Sequence, residues 1–229
     1  MNLIELKQQY PFLYKDLLNY YPCKSDQDKY EHTDSAKFEK LNHLIDLGIG
    51  NRQNFRNIWL KGVLKKIEQE TKNKVFDLTL GSVPSYGGMI RISKQKEKKI
   101  FSVDEIQFYV SLINNYISIQ ILQIEEETKF NKFMQQEIIV QKLLKVTVSP
   151  HENGYNHIFK KIEKVLDGLF ENAKFLPYQL GKTMIDDLII PHTYKDVIFL
   201  EEALFSKKIP LNNSFDIIGN TLYRLPDIQ

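Results

Sequence analysis

"FSVDEIQFYVSLINNYISIQILQIEEE", residues 101–127, alternates apolar and polar side chains on both sides of Asn114-Asn115. A period of two marks strands with one buried face. Asparagine tolerates the positive φ that a tight hairpin turn demands. A two-residue turn at Asn114-Asn115 pairs Ile113 with Tyr116, Leu112 with Ile117, Val110 with Ile119 and Phe108 with Ile121. The last three pairs are apolar on both strands and share one face. Ser111 opposite Ser118 and Tyr109 opposite Gln120 fall on the other face. A slip of one residue sets apolar against polar throughout, so the faces are strongly specified. The polar face is the candidate partner-binding surface: Tyr109, Ser111, Tyr116, Ser118 and Gln120. The acidic run Glu125-Glu126-Glu127, which prolongs the second strand, joins it.

Upstream the pattern is helical. Leu3, Leu6, Leu13, Leu17 and Leu18 sit at helical spacings, and Pro11 should end or kink a helix at Tyr10. "CKSDQDKYEHTDS" (23–35) reads as a loop. Asp34 or Ser35 can cap a helix with Phe38, Leu41, Leu44 and Ile45 on one face and Gly48 as its stop. Asn51 can open a third helix, with Phe55, Ile58, Trp59, Val63 and Ile67 as its apolar stripe. "KVFDLTLGS" (74–82) and "MIRISK" (89–94) then read as strands. The loop between them, "GSVPSYGG", uses its glycines for positive φ. "KQKEKK" (94–99) reads as an exposed turn.

Beyond the hairpin, 137–149 reads as a strand, or as a helix turn followed by a strand. Ser149-Pro150-His151-Glu152 fits a capping box with proline at the first helical position. The helix it opens carries Tyr155, Ile158, Phe159, Ile162, Val165, Leu166, Leu169 and Phe170 on one stripe. "KFLPYQLG" and "TMIDDLII" are short strand candidates. Residues 196–205 form a short helix that Asp196 can cap, and 214–225 a last strand or hairpin. Helices followed by a mostly antiparallel sheet with packed helices make the fold class α+β. A helical N-terminal segment, 1–73, precedes or packs on an α+β antiparallel-sheet domain, 74–229, and the two can form one continuous domain.

Composition bounds the function. The chain has 229 residues, 42% hydrophobic and 12% aromatic, a globular balance. No apolar run approaches the ~18 residues of a membrane span, and the start lacks the basic and apolar regions of a signal peptide. Cys23 is the sole cysteine, so no internal disulfide forms, and cytoplasmic residence is the default expectation. Net charge is +2: 18 basic against 12 acidic side chains in residues 1–100, and 13 against 17 thereafter. Neither half is charged strongly enough to imply nucleic acid.

Catalytic motifs are scarce. His32, His43, His151, His157 and His192 form no HExxH pair or one-turn chelate. "LGKT" (180–183) ends like a phosphate-binding loop, but Leu176 stands where that loop needs its first glycine. The best enzymatic constellation is Asp77 with Glu97-Lys98-Lys99. It matches an endonuclease pattern in which two acids bind Mg²⁺ and Lys99 polarises the attacking water. Against it, Glu97 falls inside a solvated charge run. The pairs Asp186-Asp187 and Glu201-Glu202, with the 125–127 triplet, are solubilising ends or an acidic surface for a basic partner. No cofactor is implied.

From about residue 101 the order of features resembles the bacterial immunity proteins that accompany polymorphic or contact-delivered toxins. The resemblance lies in "FYVSLINNYISIQIL", in "VTVSPHENGYNHIFKKIEKVLDGLFENAKFLPYQLG" and in "FLEEALFSKKIPLNNSFDIIGNTLYRL". It implies a non-enzymatic, stoichiometric binder of a cognate protein toxin, with no shared active site to carry over. The alternatives are the Mg²⁺-dependent nuclease and a structural or adaptor subunit of a bacterial assembly.

Overall fold

The computed structural model describes residues 3–24, 36–97, 100–131, 133–151, 155–185, 188–191, 198–205 and 215–228; the side chains of 3, 93 and 95–97 are outside the description. Seven strands form one sheet: β1 (Val75–Asp77), β2 (Ser85–Glu97), β3 (Ile100–Ser111), β4 (Tyr116–Asn131), β5 (Gln136–Thr147), β6 (Lys174–Phe175) and β7 (Asp216–Ile218). The order is β1-β2-β3-β4-β5-β7, antiparallel from β1 to β5. Two short parallel strands extend it, β6 beside β4 and β7 beside β5. The α+β expectation therefore holds.

The hairpin at the centre departs from the expected register by two residues. Val110 faces Ile117, Phe108 faces Ile119 and Tyr109 faces Ser118. The connection is four residues, Leu112–Asn115, not two. A two-residue slip preserves the faces, so alternation alone does not distinguish the registers. The Leu112 amide donates to the Pro84 carbonyl (2.7 Å), and Ile113 is fully buried. Asn114 and Asn115 do adopt positive φ, 55° and 54°.

Upstream, α1 (Leu3–Gln9) and α2 (Pro11–Leu18) meet at Tyr10, with Pro11 at the first position of α2, where its missing N–H is harmless. α3 (Ala36–Ile45) runs on through a wider turn, Asp46–Gly50, past the expected stop at Gly48. The caps expected at Asp34 and Ser35 lie outside the described residues. The Asn51 carboxamide oxygen does cap the next helix, accepting from the Gln53 and Asn54 amides (3.1 Å each). That helix comprises α4 (Arg52–Asn54), a stretch with i→i+5 hydrogen bonding (Phe55–Leu64) and α5 (Lys65–Thr71). The wider turn rotates the stripe. Trp59, Val63, Leu64 and Ile67 are buried, while Ile58 is exposed.

Gly87 and Gly88 lie within β2, without positive φ. Their reason is space. A Cβ on Gly88 would stand 2.3 Å from Cζ of the buried Phe108, and one on Gly87 3.0 Å from the Tyr109 ring.

On one face of the sheet, Ile106, Phe108, Val110, Ile117, Ile119 and Ile121 pack under Trp59, Ile67 and α6 (Asn156–Leu169). α6 starts without a side-chain cap, contrary to the box expected at Ser149. The Ser149 hydroxyl instead accepts from the Asn220 amide (2.8 Å), and Glu152 lies outside the described residues. Leu169, expected on the stripe, is exposed.

After β6, Tyr178–Gly181 is a helical turn (α7), where the sequence reads as a strand, and α8 spans Leu200–Phe205. Asp196 lies outside the described residues. Of the expected strand at 183–190, isolated bridges remain at Met184 and Leu188.

The N-terminal helices share a core with the hairpin and the C-terminal helices: Leu6, Leu13, Leu17, Phe38 and Leu41 pack with Ile113, Tyr116, Leu200 and Phe205. Asp16 of α2 ties this core to the turn. Its Oδ2 accepts from Asn114 Nδ2 (2.8 Å) and from the Tyr116 hydroxyl (2.7 Å). Asp16→Ala removes the acceptor of both donors and is expected to cost about 1–3 kcal/mol in denaturant unfolding. Tyr116→Phe, which removes one bond and leaves no orphan donor, is expected to cost less.

Candidate partner-binding surface

The polar face of the hairpin does not meet water where the sequence reading placed its partner. Ser111, Tyr116, Ser118 and Gln120 are buried, and Tyr109 is half-buried against Phe205 of α8 (centroids 6.2 Å apart). Ser111, Tyr116 and Tyr109 have internal partners, whereas the buried Gln120 Oε1 has none. The Ser111 hydroxyl donates to the Pro84 carbonyl (3.3 Å) and accepts from the Ile113 amide (3.1 Å). Tyr116 holds Asp16. The exposure expected of these residues is thus overturned by α8 and Tyr178, which lie over the face.

A chain of polar contacts runs along the same face. The Tyr109 hydroxyl donates to Gln107 Oε1 (3.1 Å), and Gln107 Nε2 to Glu105 Oε2 (2.8 Å). Arg91 bridges Glu105 (3.4 Å) and Glu126 (2.6 Å), and Gln141 Nε2 donates to the other oxygen of Glu126 (2.7 Å). Both glutamates are nearly enclosed, whereas a third of the Arg91 side chain is open. Burying two carboxylates requires that shared guanidinium. Beneath α8, Glu201 is buried with Lys182 as its ion-pair partner. Burial first, then the negative charges of Glu105 and Glu201, pushes the Tyr109 phenol up to about 12. Burial and Glu201 push Tyr178 up to about 12.

Of the acidic triplet, Glu126 is consumed by this network, while Glu125 and Glu127 stay half-exposed, Glu127 pairing with Lys129 (2.8 Å). Glu202 is spent locally, accepting from the Phe199 amide (3.0 Å) at the start of α8. Asp186 and Asp187 lie outside the described residues. The nuclease constellation is not brought together. Asp77 lies opposite Gly88 and accepts from the Trp59 indole N–H (3.0 Å). Glu97 ends β2 nine residues further on, roughly 30 Å along a strand. Lys99 lies outside the described residues. Among the described residues no cluster of three or more His, Cys, Asp or Glu side chains is placed to hold a metal. A cleft between α3 and α8, lined by Tyr21, Leu41, Pro84 and Glu202, has a volume of only about 40 Å³. Among the described residues no helix is long and apolar enough to cross a membrane.

The surface that stands out is at the other end of the sheet. β3 begins at Ile100, opposite Glu127, so β4 and β5 project beyond it as a hairpin with two strands. Phe130, Phe133, Met134, Ile139 and Val140 are exposed there, Phe133 to 97%. The tip is ordered from within: Asn131 Oδ1 accepts from the amides of Phe133 (2.9 Å) and Met134 (3.0 Å). The signal was present as "FNKFMQQ" (130–136), an asparagine turn flanked by aromatics between two strand patterns. Comparison with known protein families, curated proteins and solved structures gives no match for this chain.

Two outcomes follow from the buried network. Arg91→Leu leaves Glu105 and Glu126 without their cation, and unfolding stability is expected to fall by about 1–3 kcal/mol, between the exposed-pair and buried-pair ranges because Arg91 is partly solvated. The second concerns alkali. Tyr109 and Tyr178 ionise later folded than unfolded (about 10), so their contribution is complete below pH ~10 and lost as pH rises through about 12. Phenolate absorbance and circular dichroism should therefore change together in that window.

Proposed function

We propose that this chain is a non-enzymatic, immunity-type protein of bacteria that binds and neutralises a cognate protein toxin. The observation that carries the reading is the projecting β4–β5 hairpin with its preordered aromatic tip. Phe133 stands almost wholly in solvent on a turn that the Asn131 side chain holds. A large side chain presented on an ordered loop loses little entropy on binding, which is the character of a binding hot spot. Glu125 and Glu127 lie behind it on β4 and supply charges at the rim of such an interface. The resemblance of residues 101–225 to immunity proteins names the kind of partner. In this reading the buried polar face of the hairpin is scaffold, and the interface moves to its distal end.

A second reading, a structural or adaptor subunit of a bacterial assembly, draws on the same exposed Phe130, Phe133, Met134 and Ile139, since contiguous apolar surface also serves permanent assembly.

Co-expression with the product of the neighbouring gene separates them. The inhibitor reading expects that product to be toxic alone, harmless in the presence of this chain, and recovered with it in a complex of fixed small stoichiometry. A harmless neighbour, or toxicity that persists, sinks it; a large multi-subunit complex favours the assembly subunit. Phe133→Ser is expected to weaken the complex at least ~10-fold, as loss of a hot-spot aromatic does, without lowering the thermal midpoint of the free protein.

A further inference from the structure

Among the described residues the outer edge of β5 is open. β7 occupies only Lys145, Val146 and Thr147, so among the described residues Gln136–Leu144 has no strand beside it. A row of unpaired N–H and C=O groups is a template for another strand, and proteins usually blunt it with proline, a bulge or dense charge. Here there is no proline, and the bulge at Gln123/Ile124 lies at the inner end of the arm. The charges are Glu137 and Lys142 alone. Between them Ile139 is 65% exposed and Val140 37%.

The edge also specifies what fits it. "QEIIVQK", 136–142, is close to a palindrome about Ile139: Ile138 mirrors Val140, Glu137 mirrors Gln141 and Gln136 mirrors Lys142. We infer that a second copy of this chain pairs antiparallel along this edge, about a two-fold axis through Ile139, to give one continuous intermolecular sheet. That axis sets Ile139 against Ile139 and Ile138 against Val140 twice. It also sets Glu137 of each copy against Gln141 of the other and Gln136 against Lys142, so no like charges face each other.

Neighbouring registers fail. A continuous sheet keeps its faces only if the paired numbers sum to an even value. The next such axis, through Val140, sets Ile138 against Lys142 and Ile139 against Gln141. The axis through Gln141 drives Glu137 of the second copy against Lys145, where β7 already sits. Closed two-fold pairing also uses up the edge in both copies, which halts further strand addition.

The test is the oligomeric state of the full chain by sedimentation velocity over a range of concentrations, together with site-directed crosslinking. In a Cys23→Ser background, Ile139→Cys places two thiols directly opposite each other, with Cα atoms about 4.5–5.5 Å apart, within disulfide reach. Oxidation is expected to give a covalent dimer, while Gln141→Cys, which faces Glu137, gives none. Ile139→Lys sets like charges at the axis and is expected to weaken the dimer at least ~10-fold with an unchanged circular dichroism spectrum and thermal midpoint.

A chain that is monomeric at every concentration and does not crosslink at 139 overturns the inference. Crosslinking at 141 as strong as at 139 overturns the register. The inference stands apart from toxin binding: Ile139→Lys reports on self-pairing and Phe133→Ser on the toxin, so either can fail alone.

Discussion

The strands of this sheet are longer than the helices that cover them, and most of the molecule follows from that mismatch. β4 has 16 residues, roughly 50 Å of strand, whereas α6 has 14 residues and spans about 21 Å, and the helix from Arg52 to Thr71 spans roughly 30 Å. Helices can therefore enclose one end only. Burial along β4 records the boundary: Tyr116 through Leu122 are all buried, burial then alternates with partial exposure, and the last residues are open. Where both faces are covered, apolar groups and hydrogen-bonded polar groups fill them. Where cover ends, Arg91 neutralises the two carboxylates at the margin. Beyond that the sheet continues as a bare hairpin, and a lone hairpin is marginal in water. Its length, with exposed Phe130 and Phe133, makes sense if something else completes it.

Much of this was legible in the sequence. Alternation through 101–127 located the central hairpin and its buried face, Pro11 divided the first helices, and Asn51 capped the third. The failures share a cause. Face, not register, is what a period of two encodes, so a slip of two residues was invisible until Leu112 was seen bonded to Pro84. Likewise, glycine in "SYGG" reads as a turn when only local conformation is considered. In the fold it is a gap left for the rings of Phe108 and Tyr109. The stripe on 55–67 drifted for a similar reason: a helix that widens to i→i+5 bonding exposes Ile58 and buries Leu64.

The candidate surface was less legible than the fold. Tyr109, Ser111, Ser118 and Gln120 are polar by residue type, and polarity alone reads as contact with water. Ser111 and Tyr109 have hydrogen-bond partners inside, the Gln120 oxygen is enclosed without one, and α8, nearly a hundred residues away in sequence, brings the lid. Glu126 belongs to the same class, being acidic in a run of three yet enclosed between Arg91 and Gln141. The distal tip failed the other way. "FNKFMQQ" holds no periodic pattern, and only the projection of β4 and β5 past Ile100 shows that its aromatics have no core to enter.

A binding surface is not spelled as a spacing of residue types, because its complement lies on another molecule. What a chain can reveal of it is unspent capacity: apolar area without a core, backbone groups without a ladder. Both occur on the same arm in distinct directions. The edge of β5, open among the described residues, points sideways within the plane of the sheet and asks for hydrogen bonds, whereas the tip at Phe133 points along the strands and offers apolar area. One hairpin can therefore engage a copy of itself along its side and a different protein at its end. The two demands do not compete for the same atoms.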